Sequence, residues 1–199
     1  MEILDGKKIS AEIKAEIKAE VEKIKAEGRR APHLAAVLVG DNGASVTYVN
    51  SKVRSCEEVG FDSTLVKFPD TVSQKELLDK IAELNDDPAI DGFIVQLPLP
   101  AHIDEKLVTE SISPDKDVDG FHPVNMGRLA LGQGRLVPAT PAGIIELISR
   151  YGIATRGKNA VVIGRSNIVG RPIANLLSQK GWDCTVTICH SRTRNLPEV

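Results

Sequence analysis

Tyr48 and Lys52 stand four positions apart in the stretch VTYVNSK, residues 46–52, a separation that puts both side chains on one face of a helix. A tyrosine supplies an aromatic face and a hydroxyl, and a lysine whose charge is perturbed by burial or by a neighbouring cation can move a proton. On an arbitrary helix such a pair is a ring packed on an aliphatic stem. Here the helix opens directly after the strand-like run LAAVLVG and the turn-like DNGAS, at the side of a parallel sheet where ligands bind. Gln96, at the end of IDGFIVQLPLP (90–100), should open toward the same crevice, because a buried strand seldom carries a glutamine unless its amide is paired. Asp115, Asp117 and Asp119 form a D-x-D-x-D pattern in SPDKDVDG. It lacks the central glycine and later glutamate of a calcium loop, so no metal is expected.

The elements that must position these residues follow from periodicity. Ser10 is placed to cap a helix in which Ile13, Ile17, Val21 and Ile24 recur at helical spacing, with Gly28 as its stop. HLAAVLVG (33–40) reads as a buried strand, VTYVNSKVRSCEEVG as a helix ending at Gly60, and FDSTLVKF as a second strand. Ser73 with Glu76 makes a capping box for a helix through QKELLDKIAELN. The third strand, within 90–100, ends at Pro98 and Pro100, which lack a backbone donor. The order α, β, α, β, α, β predicts a parallel sheet covered by helices. Residues 113–141, rich in Pro, Gly and Asp, read as an ordered connector or functional loop, and a helix follows through PAGIIELISRYG. From Lys158 a strand (NAVVIG), a helix (VGRPIANLLSQKG) and a strand (CTVTICH) make a β-α-β unit and hence a second domain.

The turn VVIGRSNIVGRP joins that strand to that helix, where helix N-terminal amides and the dipole attract anions. It departs from GxGxxG: Ser166 stands in the second glycine position, Val169 in the third, and Gly170 comes one position later. By spacing alone the signal is weak, and a plain strand-to-helix turn is the alternative. At the end of the next strand an NAD site places an acidic residue on the ribose. The sequence has His190, Ser191 and Arg192 instead. Those donors suit a 2′-phosphate, which favours NADP, and Arg165 and Arg171 could add to an electropositive mouth.

A chain of 199 residues accommodates one full domain and part of another. A formal net charge of −2 argues against a surface that tracks nucleic-acid phosphates. No apolar run approaches the roughly 18 residues needed to cross a bilayer, and MEILDGKK holds no apolar signal core. The expectation is a soluble, cytoplasmic protein with a small-molecule partner and neither nucleic acid nor membrane. Cys56, Cys184 and Cys189 are too few and too scattered for a disulfide framework or a zinc site. Only two strands of a nucleotide-binding sheet, which usually needs about six, precede Val199, so the second domain is expected to be incomplete.

VGDNGASVTYVNSK, GFIVQLPLP, PDKDVDGFHPVNMGRL, PATPAG and GRSNIVGRP, in this order and at these separations, resemble the bifunctional methylenetetrahydrofolate dehydrogenase/cyclohydrolase family over essentially the whole chain. The resemblance implies an α/β protein: a folate-binding, three-layer parallel-sheet catalytic domain in residues 1–140, then the first part of a Rossmann-type NADP-binding domain in residues 141–199. It implies NADP-dependent oxidation of 5,10-methylenetetrahydrofolate and hydrolysis of the product to 10-formyltetrahydrofolate, in a homodimer. By that likeness Tyr48 would stack on or orient the folate, Lys52 would be the central catalytic residue, and Gln96 would position Lys52 and substrate. Asp119 would hold the pterin, and Leu97, Pro98, Leu99 and Val118 would line the cleft. Gly164, Arg165 and Ser166 would bind cofactor phosphates, with Ser191 and Arg192 on the 2′-phosphate. Ala139 stands where many relatives carry a cysteine, so no thiol chemistry is proposed there. The alternatives are a shikimate-dehydrogenase-like enzyme and a truncated, folate-binding pseudoenzyme.

Overall fold

The computed structural model describes residues 3–199. Lys7–Asp117 form one compact unit, and Val118–Val199 with the segment ending at Gly6 form another. In the first unit, strands β1 (His33–Val39), β2 (Asp62–Phe68) and β3 (Gly92–Val95) make a parallel sheet in the order β2-β1-β3. The central strand is buried from Ala35 to Val39, as its continuous apolar run requires. Alternation along it divides the core between two faces. Ala35, Val37 and Val39 join Phe93 and Val95 in a cluster with Leu77 and Ile81 of helix α3 (Gln74–Asp86). Ala36 and Leu38 point to the opposite face, where helix α2 (Gly43–Val59) buries Val49, Cys56 and Val59.

Local chemistry sets the ends of these helices. Asn42 Oδ1 accepts from Ala44 N and Ser45 N at the start of α2. Gly60 ends it at φ +81°, with Phe61 N donating to Cys56 O at 2.9 Å, the αL exit that glycine adopts without strain. Ser73 Oγ accepts from Glu76 N to start α3. Helix α1 spans Gly6–Ala26, beginning four residues before the expected cap at Ser10, because Ile9 extends the apolar stripe by a turn and is itself buried. It packs Val21 beside Gly60, whose carbonyl accepts from Lys25 Nζ at 2.8 Å.

Two helices were not expected. Helix α4 (Glu105–Ser111) is capped by Asp104 Oδ1 on Lys106 N and Leu107 N, and at seven residues it is too short to show a period. Helix α5 (Pro123–Ala130) lies inside the stretch read as a connector. Its buried pair is Asn125 and Leu129, and the polar member hides the stripe. β3 is also shorter than expected: Gln96 N still donates to Val37 O at 2.9 Å, and the prolines then end the ladder.

In the second unit, α6 (Ala139–Arg150) precedes a β-α-β element in which β4 (Asn159–Ile163) and β5 (Thr185–Cys189) pair in parallel around α7 (Gly170–Ser178). Pro172, Ile173, Ala174, Leu176 and Leu177 of α7 are buried, and Gln179 Nε2 donates to Leu129 O at 2.6 Å, tying α7 to α5.

An ionic clasp closes the amino end of the three-stranded sheet. The Arg30 guanidinium donates to both oxygens of Asp91, and His33 N donates to Asp91 Oδ2 at 2.8 Å. The Arg30 hydrogen bond, aided by the His33 N–H and opposed by partial burial, holds the Asp91 carboxyl below its usual range. A depressed carboxylate contributes stability above its unfolded value of about 3.9 and loses that contribution as pH falls through the lower folded value. Asp91→Asn should therefore lower the melting temperature at pH 7. The difference from the parent chain should shrink as pH falls and vanish once Asp91 is protonated in the folded state as well, in a pH series followed by circular dichroism.

Candidate active site

In the order β2-β1-β3 the strand order reverses between β1 and β3, and in α/β sheets the carboxyl ends of the strands at such a switch point are where ligands bind. Helix α2 follows β1 at that end of the sheet, and Gln96 directly follows β3. The buried stripe of α2 runs Ser45, Val49, Cys56, Val59, and Lys52 occupies the step between Val49 and Cys56. A lysine there interrupts an otherwise inward-facing row, and its side chain is half-buried. Tyr48, one turn earlier, is 65% exposed, so its ring has a face to offer a ligand.

Gln96 is the most informative side chain. Its Nε2 donates to Leu97 O at 2.7 Å, while its buried Oε1 has no hydrogen-bond partner. Leaving a buried acceptor unsatisfied costs about 1–3 kcal/mol, so the arrangement suits a site that receives a donor from a ligand or a mobile cation. The Leu97–Pro98 peptide is cis. Leu99 is buried, and its N–H donates to Glu105 Oε1 at 2.8 Å, fixing the turn after Gln96; Pro98 is exposed and Leu97 half-buried.

The acidic loop divides between the units. Asp117 is buried and bridges Phe93 as an extra rung beside β3. Val118 and Asp119, both half-buried, open the second unit. Gly120 follows at φ +71°, and a Cβ there would lie 2.7 Å from Pro138 N, so the backbone beside Asp119 is held where only glycine fits.

In the second unit, Gly164 N donates to Cys189 O at 2.8 Å, which sets the turns after β4 and β5 side by side. Ser166 Oγ accepts from Val169 N and Gly170 N, both at 3.1 Å. That hydroxyl thus caps the first turn of α7 and, as a donor as well as an acceptor, still has an O–H to offer. Gly170 is a residue that spacing undervalued. A Cβ there would stand 2.4 Å from Gly164 O and 2.8 Å from Arg165 N, so Gly170 permits the close strand-to-helix approach that the third glycine of a dinucleotide turn provides. The shifted register concealed it. Arg165, Ser191 and Arg192 are exposed. Residues 118–199 carry 10 Lys and Arg against 4 Asp and Glu, a local excess that suits a polyanionic ligand despite the chain's net negative charge.

The family pattern described as tetrahydrofolate dehydrogenase/cyclohydrolase, catalytic domain, matches residues 4–119, and its NAD(P)-binding domain matches residues 138–199. The bifunctional protein FolD of Flavobacterium johnsoniae is 62% identical over 200 residues, covering 100% of this chain and 68% of the relative. Among solved structures, the Campylobacter jejuni bifunctional enzyme FolD, a methylenetetrahydrofolate dehydrogenase/cyclohydrolase, superposes with a TM-score of 0.94 at 47% identity, over 98% of this chain and 68% of that one. The Trypanosoma brucei methylenetetrahydrofolate dehydrogenase-cyclohydrolase, solved with NADP cofactor and an inhibitor, gives a TM-score of 0.89 at 36% identity, over 96% and 64% of the two chains. These matches do not favour the shikimate-dehydrogenase-like alternative.

Gly170→Ala should cost about 1–3 kcal/mol, as overpacking against backbone does. Gly143→Ala, in α6 with open space around its Cα, should be neutral or stabilising by up to about 1 kcal/mol. Urea unfolding of both variants checks the contrast.

Proposed function

The chain belongs to the tetrahydrofolate dehydrogenase/cyclohydrolase family, and on that premise we propose that it oxidises 5,10-methylenetetrahydrofolate with NADP and hydrolyses the resulting methenyl cation to 10-formyltetrahydrofolate, in one-carbon metabolism. Folate binding is assigned to residues 1–140, and residues 141–199 belong to the NADP-binding domain. The observation that supports the site assignment is the unpaired buried Oε1 of Gln96, at the carboxyl end of β3, beside the strand β1 that leads into the helix bearing Tyr48 and Lys52.

NADP, when bound, supplies the hydride acceptor for the first reaction. The residues fit such a group: a glycine-permitted turn into α7, an exposed Ser166 hydroxyl with an O–H to donate, and a surplus of arginines. Gly164, Arg165 and Ser166 hold its phosphates, while Ser191 and Arg192 meet the 2′-phosphate. The methenyl cation is stabilised by its two nitrogens, so the oxidation asks the protein mainly for alignment. Tyr48 stacks its exposed ring on the aromatic part of the folate. Asp119 accepts from the pterin N–H groups, and Leu97, Pro98, Leu99 and Val118 supply apolar walls.

Hydrolysis asks for more. Water oxygen bonds to the methenyl carbon, one carbon–nitrogen bond breaks, the released ring nitrogen takes a proton, and one proton leaves. Lys52 carries these protons. Gln96, its amide nitrogen held by Leu97 O, presents an acceptor that orients the ammonium or the attacking water. We further propose a homodimer and a cytoplasmic location, from family likeness; among the described residues no helix is long and apolar enough to cross a membrane.

Lys52→Met should reduce conversion of methenyl- to formyltetrahydrofolate by about 100-fold or more, the usual weight of a proton-transfer group, read directly by absorbance. Normal turnover would refute the role. Arg192→Ala should weaken NADP more than NAD, measured as two dissociation constants, and an equal loss would remove the 2′-phosphate assignment.

A further inference from the structure

Two side chains without a role in the chemistry above, His190 and Thr193, close the turn after β5 on itself. Thr193 N–H donates to His190 O at 2.8 Å. His190 N–H donates to Thr193 Oγ1 at 2.8 Å, and Arg192 N–H donates to His190 Nδ1 at 3.1 Å. A surface β-turn needs only the first of these bonds, and many dispense even with that. The other two are additional restraints from side chains onto backbone N–H groups, and one grips Arg192 itself. Since Nδ1 accepts, the neutral ring carries its proton on Nε2.

The two residues so clamped, Ser191 and Arg192, project exposed side chains from a fixed backbone. Their turn adjoins Gly164, through the Gly164 N to Cys189 O bond and the Ile163 to Cys189 register. An arginine gives up rotamer freedom when it holds a phosphate, and a wandering Cα would add to that loss. Restraining the backbone beforehand removes the second cost for a ligand that carries the phosphate and does nothing for one that lacks it.

We propose that His190 and Thr193 are positioning residues that preorganise the Ser191–Arg192 donors for a ribose 2′-phosphate, and so set the preference for NADP over NAD. The proposal rests on the 2′-phosphate assignment of Ser191 and Arg192. It differs from a merely structural role in a measurable way. Loosened packing would weaken both dinucleotides alike, whereas a lost restraint on the clamp weakens NADP selectively.

Calorimetric titration of the protein with NADP and with NAD tests this in five variants. Thr193→Val removes the oxygen and keeps the shape, while Thr193→Ser keeps the oxygen. His190→Gln removes the acceptor from the Nδ1 position, while His190→Asn restores one there. The ratio of NADP to NAD affinity should fall about tenfold in Thr193→Val and His190→Gln, the scale of a weakened charge-assisted contact. It should stay near the parent value in Thr193→Ser and His190→Asn. Equal losses for both dinucleotides, or losses in the Ser and Asn variants as large as in Val and Gln, would overturn the proposal. Arg192→Ala separates it from its premise. If Arg192→Ala lowers the ratio and Thr193→Val and His190→Gln do not, the proposal fails alone; if Arg192→Ala leaves the ratio unchanged, the 2′-phosphate assignment fails and the proposal with it.

Discussion

Parallel strands cannot be joined by a tight turn; the chain must climb back through a crossover, usually a helix, before it can run again in the same direction. Both units obey this rule, with α2 and α3 returning the chain in one and α7 in the other. Its consequence is that helix starts collect at the carboxyl ends of the strands. Asn42 and Gly43 therefore follow β1, and Gly164 to Gly170 follow β4. The opposite end is left for fastening, as the Arg30–Asp91–His33 clasp illustrates.

Within that frame, the side chains proposed to act on the substrate occupy places that packing alone would give to apolar residues. Lys52 stands in the inward row of α2 between Val49 and Cys56, and Gln96 follows four fully buried residues of β3. Each breaks the pattern of its own element, and natural sequences break such patterns chiefly at functional or strained sites. Phe93 and Leu77 are wholly buried beneath β3 and α3, so the scaffold tolerates a polar residue at its margin without losing its order.

What could be read from residues depended on the range of the interactions involved. Runs such as 33–39 and the helix ending at Gly60 were legible, because burial along one strand and an αL exit are local properties. Helix α5 was not, since Asn125 fills one of its two buried positions. The need for glycine at 170 was invisible to spacing because it is set by the carbonyl of Gly164, which only the folded turn brings within reach. The unpaired oxygen of Gln96 lies at the same level: its residue type and position were legible, its missing partner was not. The substrate came from resemblance to a family, since a shared helix face specifies no molecule.

That missing partner bears on how the protein can be changed. A buried amide oxygen without a donor penalises the ligand-free fold by an amount comparable to many single substitutions. With Gln96 in the role proposed for it, a selection for thermal endurance carried out without substrate would reward apolar replacements at position 96 at the expense of activity. Substrate present during selection reverses the preference, because a ligand that binds only the folded form adds its own stabilisation. In that proposed role, Gln96 is where endurance and activity would make opposing demands on one side chain.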